Sequence, residues 1–251
     1  MKRIRFLFVV VLIVTICFAN VLIASAEERL EIIQASQTEN HLVLYTLLTD
    51  AETGEVVSSS LNPQQVRVVA GQFGDARITS IQSFSQTKEG VAYAVAVDMN
   101  SFMLNAVKLF TLQDALGTFL NTLRDADRMI LLSIGKSGVK TITGGFEKDR
   151  LKINNLIKTL TTEDKAKETA LYQGIERAIG AFSSTETDFP VRRAVVVFTY
   201  GADNGSMAAE VLAEKASKSG VPVYFITLKG KDAEGNLKTL DTADLDRIAR
   251  G

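Results

Sequence analysis

The pattern of hydrophobic and polar residues along the chain changes near residue 90. Before it, β-forming residues are dense in four segments that are predicted as strands: 30–37, 41–49, 64–72 and 76–85. Turn-forming clusters such as Asp50-Ala-Glu-Thr-Gly54 separate these segments, and no helical period intervenes. Residues 27–90 are therefore predicted to form a small antiparallel, sandwich-like β module, which ends in a short polar hinge at Gln86–Gly90.

After residue 90, apolar segments with the length of buried strands alternate with segments that have a helical period. The predicted strands are 91–98, 128–135, 140–144, 193–199 and 221–228. The predicted helices are 105–125, 149–160, 167–182, 206–219 and 242–250. This alternation predicts an α/β fold for residues 91–251, with a doubly wound, mostly parallel sheet and helices on both faces. Because such a domain normally continues with another strand, we expect the chain to be truncated at its carboxyl terminus.

The run Val91–Val97 is apolar at nearly every position, as expected for a central strand that is buried on both faces. It leads directly into Asp98, and open α/β sheets bind their ligands at the carboxyl ends of their strands. Two further loops are expected at this edge, one carrying Thr169 and the other carrying Thr199-Tyr200-Gly201 and Asp203. The sequence therefore predicts a functional edge around Asp98.

The first residues of the chain have the pattern of a secretory signal peptide. Basic residues precede an apolar run over 6–23, and the small residues Ala24-Ser25-Ala26 follow it. Residues 1–26 are therefore predicted to be cleaved before Glu27, which makes the protein secreted or attached to the cell surface. The alternative is an uncleaved membrane anchor, because the apolar run approaches spanning length. Membrane attachment would use either an uncleaved amino terminus or sequence beyond Gly251.

Composition narrows the functional classes. The formal net charge is −1, and the sequence shows no basic face of the kind that nucleic-acid partners require. Cys17, the single cysteine, lies in the predicted signal peptide, so the mature protein would form no disulfide and hold no thiol nucleophile. His41 is the only histidine, and the sequence contains neither a P-loop nor a G-x-S-x-G motif, so it does not predict an enzyme.

The loops at the predicted edge are similar to those of the von Willebrand factor type A domain, and the resemblance covers about residues 91–250. In that family the loops read Asp-x-Ser-x-Ser, Thr and Thr-Asp-Gly, and they form a metal-ion-dependent adhesion site (MIDAS). The resemblance implies a Mg²⁺ or Mn²⁺ ion whose open position accepts an acidic group from a protein partner. Asp98 and Thr169 match the family's first aspartate and its threonine, and Asn100 stands at the first serine.

Two positions of the family's motif carry residues that lack the required oxygen ligand. Phe102 replaces the second serine, and Tyr200 replaces the second aspartate. The remaining ligands predict a degenerate site with weak metal affinity, on the order of millimolar: Asp98, Asn100 and Thr169. Asp203 is an alternative source of the missing carboxylate. Three residues are predicted to contact the ligand directly: Phe102, Tyr200 and Asp203.

The leading hypothesis from the resemblance is an extracytoplasmic protein-binding or adhesion module that uses the carboxyl-end loops of its A-type domain. The missing oxygen ligands argue against metal dependence, and the expected partner is another protein. The alternative is a structural or assembly component of the cell envelope with a vestigial ion site. A hydrolase that uses paired carboxylates is the third hypothesis, and no motif in the sequence supports it.

Overall fold

The computed structural model describes residues 28–37, 42–57, 61–69, 74–101, 106–161, 168–182, 188–200, 203, 205, 207–227 and 242–250. Several predictions fall outside these residues, namely the signal peptide with Cys17, and the roles of His41 and Phe102. Within the described ranges, every helix is too short or too polar to cross a membrane.

Two pairs of strands and one isolated bridge, between Thr49 and Val56, are described before residue 91. The first pair consists of β1 and β2, at Glu28–Gln37 and Leu42–Asp50. The second pair is antiparallel and consists of β3 and β4, at Val68–Val69 and Asp75–Ala76. The two pairs are separate two-stranded sheets, and they stand where the sequence predicts a sandwich-like module.

The strands predicted at 64–72 and 76–85 are reduced to two residues each in the described part of the chain. The side chain of Asn62 accepts a hydrogen bond from the N–H of Gln64 and begins a 3-10 turn at Pro63–Gln65, where an extended strand was predicted. Val69 in β3 is 57% exposed. Cross-strand packing and burial stabilise a sheet. Because this strand pair is exposed, it lacks the burial that would stabilise longer strands.

The chain forms two compact units. One contains the residues up to Ile32 together with Thr46–Leu61, and the other contains Ile33–Tyr45 and Asn62–Gly251. The predicted division of the chain at residue 90 stays a prediction. The segment Gln86–Gly90, predicted as a hinge, belongs to the same unit as the α/β domain.

The second unit contains a five-stranded sheet with the strand order β7-β6-β5-β8-β9. Its strands are β5 (Val91–Asp98), β6 (Arg128–Gly135), β7 (Gly138–Thr141), β8 (Arg192–Thr199) and β9 (Val223–Thr227). The central strand β5 is parallel to β6 and β8, and β9 is parallel to β8, whereas β7 at the edge is antiparallel to β6. The predicted α/β fold with a mostly parallel sheet is confirmed.

Helices cover both faces of this sheet. They are α1 (Ala106–Thr122), α2 (Arg150–Lys158), α3 (Leu171–Gly180), α4 (Ala209–Ser219) and α5 (Ala243–Arg250). The first two pack with Val95 and Val97 of β5, and the other three belong to the core on the opposite face, which contains Ala92, Ala94 and Ala96. The central strand therefore presents valines to one helical layer and alanines to the other.

Local signals end the helices close to where the sequence predicts. Asp149 precedes α2, and its Oδ1 accepts hydrogen bonds from the N–H groups of Leu151 and Lys152 at 2.9 and 3.1 Å. Gly220 follows α4 with φ of +62°, a left-handed conformation that glycine adopts without strain. Both ends therefore follow from residues that the sequence already displays.

The order of the strands places a topological switch point at the carboxyl ends of β5 and β8. In the sheet, β6 lies on one side of β5 and β8 lies on the other side. Connections that leave a central strand in opposite directions open the crevice in which α/β sheets bind ligands. Asp98 ends β5 and Thr199 ends β8, so both lie at this switch point.

Candidate functional site

Asp98 lies at the centre of the site and is fully buried. Asn100, Thr169 and Thr199 are also fully buried around it, although all are polar. Three of these residues, Asp98, Asn100 and Thr169, are the metal ligands that the sequence predicts, and the structure brings them together. The strand ends and the loop before α3 supply them, as the order of strands requires.

The carboxylate of Asp98 accepts hydrogen bonds from four groups of the chain. The Thr169 hydroxyl donates to Oδ1 at 2.7 Å, and the Thr199 hydroxyl donates to Oδ2 at 2.8 Å. The Asn100 amide nitrogen and the Tyr200 backbone N–H also donate to Oδ2, at 3.2 and 3.4 Å. Three of the four donors therefore bind Oδ2 and one binds Oδ1, so both oxygens of the carboxylate are engaged and Oδ1 keeps room for one further contact.

Burial and hydrogen bonding act on Asp98 in opposite directions. Burial is the larger effect and raises the pKa of the Asp98 carboxyl, whereas the bonds from Thr169, Thr199, Tyr200 and Asn100 lower it. Since all four donors are groups of the chain itself, the carboxylate ties three segments together: the end of β5, the end of β8 and the loop before α3. This arrangement gives the edge a defined shape.

Thr199 is a site residue that sequence reasoning did not single out for its side chain. It is the last residue of β8, and its hydroxyl makes one of the two shortest bonds to Asp98. A hydroxyl residue at the end of an otherwise apolar buried strand is the signal that could have identified it. The family's Thr-Asp-Gly motif points instead to the next position, where Tyr200 replaces the aspartate.

Both carboxylate oxygens of Asp203 accept hydrogen bonds from the backbone beside the site. Its Oδ1 accepts a hydrogen bond from the Tyr172 N–H at 2.9 Å, and its Oδ2 accepts one from the Gly205 N–H at 2.8 Å. Ala170 precedes α3 and makes no side-chain cap, so Asp203 caps this helix from a different loop. The negative charge is also favourable at the amino end of a helix.

Tyr200 and Lys108 lie together at the accessible part of the site. Both side chains are partly exposed, and the Lys108 ammonium lies 5.6 Å from the centroid of the Tyr200 ring. Burial raises the pKa of the Tyr200 hydroxyl, and the charge of Asp98 raises it further, so the phenol stays protonated at neutral pH. This pair offers an aromatic surface and a positive charge to the outside.

The described residues do not fit a divalent ion. Mg²⁺ and Mn²⁺ require several oxygen ligands, but both oxygens of Asp98 already accept hydrogen bonds from the hydroxyls of Thr169 and Thr199. Asn100 turns its amide nitrogen toward Asp98, and Tyr200 brings no carboxylate. Elsewhere in the described part of the chain, no group of three or more His, Cys, Asp and Glu side chains is placed to hold a metal.

No protein-family model matches this sequence, and no curated protein matches it either. Solved structures do match. An aerotolerance-related membrane protein from Bacteroides fragilis is 19% identical, with a TM-score of 0.51 over 64% of this chain and 87% of that one. A von Willebrand factor type A protein from Catenulispora acidiphila is 14% identical, with a TM-score of 0.52 over 89% of this chain and 43% of that one.

Proximal thread matrix protein 1 from the mussel byssus also matches, in a structure whose MIDAS motif is occupied by zinc. It is 18% identical, with a TM-score of 0.51 over 65% of this chain and 40% of that one. At these identities the similarities establish the fold alone. The fold is that of the von Willebrand factor A domain, as the resemblance predicts.

Proposed function

We propose that this chain, whose α/β domain has the von Willebrand factor A fold, is an extracytoplasmic module that binds another protein through its carboxyl-end loops and without a metal ion. The observation that carries the proposal is the hydrogen bonding of Asp98. Four donors of the chain engage both oxygens of this carboxylate, and Tyr200 brings no second carboxylate to help hold an ion. The edge therefore has a fixed shape that does not need metal.

The same observation favours binding over catalysis. Asp98 is the buried carboxylate at this edge, and a general base must reach the proton that it removes. Hydrogen bonds from Thr169 and Thr199 engage both of its oxygens, and no part of it is exposed. A contact surface made of Tyr200 and Lys108 remains, and tyrosine is enriched at protein interfaces.

The proposed location outside the cytoplasm rests on the signal-peptide pattern of residues 1–26. Two proteins of the same fold support it. One is described as an aerotolerance-related membrane protein, and the other is a matrix protein of the mussel byssus.

A second candidate function is assembly of the cell envelope, with the edge around Asp98 retained as structure. The hydrogen bonds that both Asp98 oxygens accept within the chain favour it, because such a buried network stabilises the fold even without a ligand. The two functions differ in which surface touches the partner.

Photo-crosslinking in cells of the natural host tests the proposal. Benzoylphenylalanine is placed at position 200, and the matched control carries it at position 224, where Tyr224 is 46% exposed on β9. We expect one specific protein adduct from position 200, with the same yield when EDTA is added. Loss of this adduct in EDTA would show that recognition needs metal. Adducts from position 224 but not from position 200 would favour the assembly role.

A further inference from the structure

We infer that residues preceding β5 hold the first residues of β8 in place, and that they thereby set the position of Thr199 and Tyr200 at the other end of the strand. Together with their partners on the α/β domain they are termed the basal clamp: Gln34, Tyr45, Phe84, Arg124 and Arg192. The basal clamp acts on the geometry of the site, whichever partner the site binds.

Gln34 provides the most direct contact of the basal clamp. It lies in β1 and is only 8% exposed. Its Nε2 donates to the Val191 carbonyl at 3.1 Å, and its Oε1 accepts from the Arg193 N–H at 3.0 Å. One side chain therefore pairs with both a donor and an acceptor of the backbone at the start of β8.

The Gln34 amide continues a ladder that β9 leaves incomplete. The pairing of β8 with β9 begins at Val195 and Val223, and the Val195 N–H donates to the Pro222 carbonyl. The Arg193 N–H is two residues earlier, so along a strand it points to the same side as that of Val195. The Gln34 side chain accepts the hydrogen bond from the Arg193 N–H, since β9 has no residue paired there. Buried backbone groups require such a partner.

Aromatic and guanidinium groups form the second part of the basal clamp. The guanidinium carbons of Arg192 and Arg124 each lie 4.2 Å from the centroid of the Phe84 ring. Tyr45 approaches the same ring edge-on at 6.2 Å between centroids, and its hydroxyl donates to Glu89 at 2.9 Å. Arg192 belongs to β8, so these contacts also restrain the start of that strand.

Arg124 fixes the segment that carries Phe84. Its Nη1 donates to the carbonyls of Phe84 and Thr87 at 3.3 and 3.5 Å, and its Nη2 donates to the Glu89 carbonyl. Three backbone carbonyls between residues 84 and 89 are thus bound by one arginine, which lies two residues after the end of α1. The predicted hinge is held against the base of the α/β domain by these bonds.

The strand itself connects the basal clamp to the site. β8 is buried from Ala194 to Thr199 and pairs in parallel with β5, where Val97 stands opposite Phe198. A slip of one residue would turn every side chain to the wrong face, so the strand keeps one axial position. That position decides whether the Thr199 hydroxyl and the Tyr200 N–H reach Asp98.

Amide hydrogen exchange, followed by NMR, tests the inference. Gln34→Leu removes both hydrogen bonds, and Gln37→Leu is the matched control, because Gln37 is an exposed glutamine of the same strand. Three amides are followed: Arg193 at the clamp, Tyr200 at the site and Leu132 in β6 as the reference. We expect exchange in Gln34→Leu to be faster at Arg193 and Tyr200 by roughly tenfold, the scale of one lost hydrogen bond, and unchanged at Leu132.

The other outcomes overturn the inference. Faster exchange at Arg193 alone would make the clamp a local contact, and faster exchange at all three amides would mean general destabilisation. Phe84→Leu provides a second, independent test, with Phe110→Leu as its control because Phe110 is 69% exposed on α1. Phe84→Leu should also accelerate amide exchange at Tyr200 and leave exchange at Leu132 unchanged. No acceleration at Tyr200 in either variant would show that the basal clamp does not position the site.

Discussion

At the scale of single residues, Asp98 combines complete burial with an ionisable group. Its folded-state pKa is raised above the unfolded value of about 3.9, because burial outweighs the hydrogen bonds that it accepts. The folded protein therefore binds the proton more tightly than the unfolded chain. The stability that this contributes is complete below the unfolded pKa, and it is lost as pH rises through the folded pKa.

We therefore expect Asp98→Asn to change how stability depends on pH. As pH rises from the unfolded pKa of Asp98 through its folded pKa, the free energy of unfolding of the natural protein should fall relative to that of the Asn variant. Denaturant unfolding at several pH values between about 4 and 8 measures this difference. Asp114→Asn is the control, because Asp114 is exposed on α1. A constant difference between the natural protein and Asp98→Asn would contradict the prediction.

A second prediction at this scale concerns the ion. Calorimetry with Mn²⁺ should show binding on the order of millimolar or weaker for the natural chain. Combining Asn100→Ser, Phe102→Ser and Tyr200→Asp returns the missing oxygens and should strengthen the affinity. Adding Asp98→Ala to that variant should abolish the gain.

The control for the added charge is Tyr224→Asp, which places a carboxylate on β9 away from Asp98. It should leave Mn²⁺ binding unchanged. Micromolar binding by the natural chain would contradict the degenerate site, and would require another oxygen in place of the lost carboxylate.

At the scale of elements, the close approach of α3 to β6 depends on a glycine. A Cβ built on Gly174 would lie 2.2 Å from Cδ1 and 2.5 Å from Cγ1 of Ile134, which is itself fully buried. Gly117 in α1 has no neighbouring atom within 4 Å of its Cβ position. A side chain at position 174 would therefore collide with Ile134, whereas position 117 has space for one.

We predict opposite effects of alanine at these two positions. Gly174→Ala should lower the free energy of unfolding by about 1–3 kcal/mol through overpacking. Gly117→Ala should raise it by about 0.5–1 kcal/mol, because alanine favours a helix interior. Denaturant unfolding of both variants measures the two changes. Stabilisation by Gly174→Ala would show that α3 moves away from β6 without cost.

At the scale of the whole molecule, the predicted signal peptide would decide where the protein acts. The basic residues, apolar run and Ala24-Ser25-Ala26 predict cleavage before Glu27. Mass spectrometry of the protein from its natural host should find Glu27 as the amino terminus. Replacing Ala24 and Ala26 by leucine should block cleavage, and Ser25→Ala, which keeps small residues at the site, should not. An intact Met1–Ala26 segment in the natural protein would favour the membrane anchor.

The sequence by itself determined the α/β domain and most of its boundaries. Apolar runs such as Val91–Val97 and helix signals such as Asp149 and Gly220 are local, because periodicity and capping act over a few residues. The same locality explains the errors at 64–72 and 76–85. Those segments contain strand-forming residues, but strands persist only where a partner and a buried face stabilise them.

Only the tertiary structure decided what the polar residues do. Asp203 caps α3, Thr199 bonds to Asp98, and Gln34 completes the ladder of β8. Each of these side chains meets a partner that is distant in the chain, 31, 101 and 159 residues away respectively. A hydrogen bond depends on where its two groups come together, and neither residue type nor local spacing specifies that meeting.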